Sequence, residues 1–576
     1  MWVWGPRVKL QPMFTTVLPV WGAALLLSVC CWSIGTWLVA SKSPLVAMLC
    51  GWCVFLLLCT VPWIGGFSSQ LARPLFWLFL AGGLYLAFKQ RRWANLASAV
   101  ICTAVIVALL GYPFIRFPGL LAYGAHGVDM WGYVITAEWL QHHSIRTLPE
   151  IGVDPMRFNW TWHVLSIQER PLNYESLACL SSATGLAITK AYLLYPVVLL
   201  SSLAMAVARQ PGIFGLKYWV LALVPALALV FHPLFVQPWV AGYFGGSITA
   251  GFVALALAGA VAAEAGPART EAVGLAALML VLCAALYTEK FLYVALAVGA
   301  VPLLFALVGL TLRFEARPFA LTLRVAHRPL HYPRPGRLLT AVISCACAEA
   351  IAVICLGQDL PPNTGVAQLP DTALGHFLGI FGGSSPYVWL GYDVSRDFDR
   401  NFLSNPVGAV TLVVMLSLLI LVSLHRWQAS RDVLVPLFAL LCFGLVGWTY
   451  ADELIMAKTL AIFGFALLVM LAAASSNLRS WSLGLVAAAV CCLPCVRSAA
   501  QMQEVIHAPY YSHCTEQDVT QARDGQDWRF LAFLYFCEDK VGVDWTKYPE
   551  TYNAVTHFLP PPMKERLAKK YHIINH

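Results

Sequence analysis

Apolar residues fall along this chain in blocks about 17 to 25 long, the length at which a helix crosses the hydrocarbon core of a bilayer. Polar punctuation between the blocks predicts helices near 14–39, 44–64, 74–88, 95–115, 190–208, 218–235, 246–265, 270–287, 291–312, 338–357, 406–425, 433–450, 456–474 and 479–496. The evenly spaced alternating segments of an outer-membrane barrel are missing from this pattern. The expected fold is therefore all-α: a polytopic helical membrane protein of about 13–14 transmembrane helices, with a large outer loop carrying interfacial helices. Residues 1–115 hold N-terminal transmembrane helices, 116–189 the outer loop, 190–496 a helical bundle interrupted by a second outer loop at 358–405, and 497–576 a small outer C-terminal domain. The short block 74–88 is the one expected to be re-entrant, which leaves the side of the N-terminus open.

Composition agrees with a membrane chain. Of 576 residues, 59% are hydrophobic and 11% charged, against roughly a quarter charged in soluble domains. The formal net charge of +8 does not call for nucleic acid, because the basic residues concentrate in a few connections. RFEARPFALTLRVAHRPLHYPRPGR, at 313–337, carries six arginines against one glutamate. KQRR at 89–92, HRWQASR at 425–431 and SSNLRS at 475–480 are also basic. Short basic connections stay on the cytoplasmic side. That places 116–189, 236–245, 288–290, 358–405, 451–455 and the tail from Arg497 on the outer face of a plasma (inner) membrane, with the chain multi-pass. The N-terminal MWVWGPRVKL precedes an apolar run too long for a signal peptide, so this run is expected to stay as an anchor.

The 17 cysteines mostly lie inside apolar blocks, where a thiol behaves as a small hydrophobe. Cys50 and Cys53 form a CxxC there with no charged neighbour. Cys514 and Cys537, in the tail, could pair in an oxidising compartment or remain free thiols.

Candidate chemistry gathers in the outer loops. In AYGAHGVDMWGYVITAEWLQHHS, 122–144, Val128, Trp131, Ile135 and Trp139 recur at helical spacing, and Asp129, Tyr133 and Thr136 form a second stripe. An amphipathic helix lying in the interface, anchored by its tryptophans, is the expectation. Asp129 then sits near the outer surface, either as a functional carboxylate or as a helix-initiating residue. The loop continues as DPMRFNWTWHVLSIQERPLNYESLACLSSATG, where Glu169, Asn173 and Tyr174 belong to a polar, aromatic composition suited to holding a carbohydrate. His126, His142, His143 and His163 lack a zinc spacing.

In loop 358–405, Asp393, Asp397 and Asp399 could gather round Mg²⁺ or Mn²⁺; Arg396, Arg400 and Asn401 offer self-compensating surface charge instead, and no metal ligands are assigned. Charge also stands at two outer helix ends: Glu289 and Lys290 in YTEKF, and Lys458 in TYADELIMAKTL. A lysine there is placed either to meet a lipid phosphate as a compact point charge or to snorkel.

HGVDMWGYVITAEWL, the following QERPLNYESLACLSSATG and the lysine of YADELIMAKTL together resemble the membrane-embedded glycosyltransferases of the GT-C superfamily, over about Tyr112 to Ala474. The resemblance implies an enzyme that moves a sugar, with inversion, from a polyprenyl-phosphate donor to an envelope glycan or lipid acceptor on the outer face. Asp129 matches the loop aspartate that acts as general base or helps hold a metal. Lys458 or Lys290 would stabilise the departing phosphate, with Glu289, Tyr133, Glu169, Asn173 and Tyr174 at the substrate. A divalent cation, Mg²⁺ or Mn²⁺, remains an open cofactor. The chain departs from the family in having several spans before the large loop and no acidic pair beside Asp129.

Three other readings compete. A polysaccharide polymerase or ligase would carry arginine-rich outer loops, and most arginines here lie inside. A transporter or flippase of envelope precursors would show charges within spans and repeat symmetry, neither of which is visible. A non-catalytic scaffold for envelope assembly would tolerate Asp129→Ala.

Overall fold

A computed structural model describes residues 18–39, 43–90, 104, 129–150, 158–159, 161–162, 164–165, 170–208, 248–249, 251–256, 259, 267–286, 310–317, 320–327, 559 and 561–570. The first two helices, α1 (Leu18–Leu38) and α2 (Pro44–Gly65), are long and apolar enough to cross a membrane. They pair as an antiparallel hairpin. The contact is built on glycine: a Cβ added at Gly35 would strike the Ala47 carbonyl, and one at Gly51 the Cys31 carbonyl. Where the surroundings are as apolar as the helices, close backbone packing over small residues replaces hydrophobic burial as the adhesive.

Pro44 sits in the first turn of α2, where its missing N–H costs nothing. The helix ends at Gly66, whose φ of 69° and ψ of 39° are left-handed and whose amide bonds to the Pro62 carbonyl at 2.9 Å. That conformation favours glycine. A short turn then leads into α3 (Arg73–Lys89). The block expected to be re-entrant is thus one unbroken helix of 17 residues. It lies along α1: Cys30 Sγ bonds to the Leu80 carbonyl at 3.3 Å, and Gln90 Nε2 donates to the Ser33 carbonyl at 3.0 Å.

Four more helices follow, α4 (Asp129–His142), α5 (Pro171–Thr184), α6 (Ile188–Ala208) and α7 (Pro267–Leu286). α5 packs against α2, α3, α4, α6 and α7, and every residue from Pro171 to Ala183 is buried. It turns into α6 at Gly185, φ 71°, whose amide bonds to the Ser181 carbonyl at 2.8 Å. An aromatic layer surrounds α2: the Trp52 ring lies 6.0 Å from Tyr195 of α6 and 5.2 Å from Phe252, which sits in a helical stretch at 251–256. Phe55 lies 5.9 Å from Phe76 and 5.8 Å from Phe79.

One element is not helical. β1 (Leu310–Arg317) and β2 (Ala320–His327) form an antiparallel hairpin, with Arg313 opposite Arg324. Leu310 to Leu312 therefore belong to a strand and not to the end of the helix expected at 291–312. In LTLRFEAR, Leu312, Phe314 and Ala316 alternate with Arg313, Glu315 and Arg317, a two-residue period that no helix can place on one face. A final helix, α8 (Pro561–Lys570), lies near the C-terminus. The expected helices at 218–235, 338–357, 406–425, 433–450, 456–474 and 479–496, and the loop 358–405, lie outside the described residues, as does all of 95–115 except residue 104.

Candidate functional site

The loop that carries most of the candidate chemistry folds as two parallel helices. Tyr133 of α4 stacks on Tyr174 of α5 with ring centroids 5.3 Å apart. Two turns further on, Gln141 Nε2 donates to Ser181 Oγ at 2.6 Å. The nearly constant offset fixes both direction and register, and places Asp129 level with the start of α5.

α5 begins in an unusual way. Arg170, immediately before Pro171, adopts φ 54° and ψ 46°. A proline disfavours the right-handed helical region for its predecessor, and the left-handed region costs a non-glycine residue about 1–3 kcal/mol. The conformation is held by bonds at both ends of the residue: the Asn173 amide donates to the Arg170 carbonyl at 3.0 Å, and Arg170 Nη1 donates to the Tyr133 hydroxyl at 2.8 Å. The opposite ends of the two helices are closed by the turn between α2 and α3. Ser69 N donates to the Leu140 carbonyl at 3.0 Å, Ser69 Oγ lies 2.9 Å from Ser182 Oγ, and Trp77 Nε1 donates to the Ala183 carbonyl at 3.3 Å.

The interfacial reading of α4 needs correction. Trp131 is fully buried, and Tyr133, Val134, Ile135, Thr136, Ala137 and Leu140 are buried with it. Of the stripe expected to face a lipid interface, Trp131 and Ile135 face other helices, because α5 and α6 cover α4. Trp139 is half-buried and stacks on His143 with centroids 3.6 Å apart.

The described part of this loop also buries polar groups that have no partner among the described residues. Both carboxylate oxygens of Glu175, both amide atoms of Asn173 and of Asn159, and the hydroxyl of Thr136 lack a hydrogen-bond partner among the described residues. All four side chains are 0% exposed. Native proteins pair the great majority of such groups or give them a ligand or ordered water. Elsewhere among the described residues the comparable orphans are mostly single hydroxyls or indole N–H groups; whole amide and carboxyl groups are concentrated in this loop. Burial pushes the Glu175 carboxyl well above the ordinary range of a glutamate. At 14 residues, or about 21 Å, α5 is too short to span a bilayer.

Of the residues expected at the substrate, the structure brings Tyr133 and Tyr174 into contact; Asn173 precedes Tyr174 on α5 and is buried on another face of that helix. Asp129 is the first residue of α4. Glu169, Glu289, Lys290 and Lys458 lie outside the described residues, as do Asp393, Asp397, Asp399, Cys514 and Cys537. Among the described residues no three His, Cys, Asp or Glu side chains are arranged to hold a metal ion, and the seven described cysteines, Cys50 and Cys53 among them, are buried free thiols.

Glu175 was not among the expected site residues. In PLNYESLACLSSAT it is the single charged residue, but Asn173, Ser176, Ser181, Ser182 and Thr184 spread polarity around the helix, so the pattern carries no signal that the carboxylate is buried.

The described residues define a class no finer than a helical protein with two apolar helices of membrane-spanning length and several buried polar side chains. Comparison with protein-family models, with curated proteins and with solved structures finds no match to this chain.

Proposed function

We propose that the protein is an integral membrane glycosyltransferase of the GT-C kind, moving a sugar from a polyprenyl-phosphate donor to an envelope glycan or lipid acceptor. The observation that carries the reading is the α4–α5 contact: an aromatic pair, Tyr133 and Tyr174, with Asp129 opening α4 at the level where α5 begins, and with the buried Asn173 and Glu175 next to Tyr174 in sequence but on other faces of α5. Sugars are held by stacking on aromatic faces and by hydrogen bonds to carboxyl and amide groups, and unfilled bonding capacity at such groups is what a hydroxyl-rich ligand satisfies.

In this reading Asp129 removes the proton of the acceptor hydroxyl as that oxygen attacks the anomeric carbon. The bond from that carbon to the lipid phosphate breaks, and the electron pair leaves on the phosphate. Lys458 or Lys290 then stabilises the developing charge. Tyr133, Glu169, Asn173, Tyr174 and Glu289 bind the substrates. Asp393, Asp397 and Asp399 are the residues that would hold a divalent cation if one takes part.

The test supplies the purified full-length protein with radiolabelled polyprenyl-phosphate sugars and bacterial membrane acceptors. Transfer that is lost in Asp129→Asn supports the reading, whereas no transfer with any such donor refutes it. The transporter reading gains one observation of its own, because Glu175 is a carboxylate enclosed by packed helices. It predicts instead that reconstituted vesicles accumulate a labelled envelope precursor without chemical change, and that Glu175→Gln abolishes this uptake.

A further inference from the structure

The outward face of α3 reverses the pattern of a water-facing helix. Leu71 just before it, and Trp77, Leu78, Tyr85 and Phe88 along it, are 70%, 55%, 69%, 62% and 62% exposed. No charged residue stands between Arg73 and Lys89 in RPLFWLFLAGGLYLAFK. The inward face, with Phe76, Phe79, Leu80, Gly83 and Ala87, is buried against the bundle. A soluble helix places its polar residues outward, and a continuous exposed apolar strip marks contact with a membrane or another protein.

The two ends of α3 say which. At the first, the Arg73 guanidinium lies 5.9 Å from the centre of the Trp77 ring. At the last, the Lys89 ammonium lies 5.7 Å from the centre of the Tyr85 ring. A cation beside a Trp or Tyr is the combination selected where headgroups meet hydrocarbon: the ring sits at the boundary and the cation reaches the phosphates. Finding it at both ends of one apolar face fits two headgroup layers. A protein groove would need carboxylates at matching separation and an apolar floor between them. Sixteen steps of about 1.5 Å separate Arg73 from Lys89 by about 24 Å. Snorkelling side chains at each end extend this toward the ~30 Å core. α3 also runs alongside α1, one of the two helices of spanning length.

We propose that α3 crosses the bilayer with this face against lipid chains, Arg73 and Lys89 engaging the phosphates of opposite leaflets. The inference is independent of any catalytic reading. It replaces the re-entrant expectation for 74–88 and makes the connections at 66–72 and after Gln90 emerge on opposite sides.

The test uses the full-length protein in membrane vesicles of known orientation. A clickable amino acid is placed at Leu71 or at Arg91 and challenged with a membrane-impermeant reagent; a photo-crosslinking amino acid is placed at Leu78, with Leu84 as an alternative position if Leu78 perturbs folding. The expected result is labelling of Leu71 and Arg91 from opposite sides and capture of phospholipid by the crosslinker. Labelling of both from the same side would overturn the crossing. Crosslinking mainly to a second copy, or to another segment of the same chain, would overturn lipid as the occupant of this face.

Discussion

Replacing Glu175 with glutamine should stabilise the protein at neutral pH and reduce the activity that the α4–α5 layer supports. The side chain is 0% exposed and neither oxygen has a partner among the described residues, so burial holds its carboxyl above the ordinary range. For an acid shifted upward, the folded state keeps its proton where the unfolded chain has lost it. The stability this contributes is fully present below the ordinary value of about 4.3 and is lost as pH rises toward the raised folded value. Each unit of pH in that window removes on the order of 1 kcal/mol, so the wild-type curve should fall steadily as pH rises through it. Glutamine keeps the shape and removes the titration. Denaturant unfolding of the detergent-purified protein between pH 5 and 8 should show wild type losing stability with rising pH more steeply than Glu175→Gln, with Glu175→Leu also shallow. Parallel slopes for all three would refute the reasoning, because the carboxylate would then be compensated inside the fold. A gain in stability joined to a loss of transfer is what a functional group retained at energetic cost produces.

Alanine at Gly35 or Gly51 places a Cβ on the opposing backbone of the α1–α2 hairpin, and overpacking of that kind costs about 1–3 kcal/mol or more; thermal melting in detergent should show both variants destabilised, with Gly22→Ala, which meets nothing within 4 Å, unaffected. Tyr133→Phe removes the hydroxyl that accepts from Arg170, a bond to a charged donor worth about 1.5–3 kcal/mol, and should lower the unfolding midpoint while leaving the Tyr174 stack. Asp129→Asn should cut transfer by about 10² to 10⁴ if the aspartate is the base and leave folding intact, since asparagine caps a helix as well as aspartate; unchanged kinetics would remove it from the mechanism. Donor titrations of Lys458→Gln and Lys290→Gln should show weaker donor binding and lower kcat for the lysine that meets the phosphate, and no change for one that only snorkels.

The helices most legible in the sequence were those defined by uniform apolarity. Blocks read at 44–64, 74–88 and 190–208 appear as Pro44–Gly65, Arg73–Lys89 and Ile188–Ala208, because proline and glycine punctuation and the onset of charge mark where the backbone must change. The hairpin at 310–327 was also written plainly, as alternation in LTLRFEAR and ALTLRVAH, but a reading tuned to arginine count and topology passed over the period. The loop 129–184 was harder. Its polar and aromatic residues read as an exposed surface, since a one-dimensional pattern cannot tell a stripe facing an interface from one facing a second helix. Trp131 and Tyr133 lie on stripes in either case. The decision is made by α5, which brings a neighbour that the sequence of α4 does not contain. Tyr133 and Tyr174 were named for their chemistry and do meet, whereas Glu175 stands among Asn173, Tyr174 and Ser176, and its burial is set by the helices that surround α5.

That burial separates two kinds of polar residue within the same bundle. The hydroxyls of Thr36, Thr184 and Ser202 bond back to carbonyls one turn earlier in their own helices, to Trp32, Leu180 and Val198, so they enter an apolar interior with their donors satisfied. Asn159, Asn173 and Glu175 have no such local solution: their polar atoms stand farther from the backbone, and they remain unpaired among the described residues. An apolar side chain of similar volume would avoid the desolvation cost, about 1–3 kcal/mol for each unpaired group and more for a charged one. Packing among the described residues therefore gives no reason for an amide and a carboxyl two residues apart on a helix that is buried on every side. A bound hydroxyl-rich group, or a proton held for transfer, gives one. The two differ in what they require of Asn173, because an amide can bind a sugar hydroxyl but cannot carry a titrating proton at neutral pH.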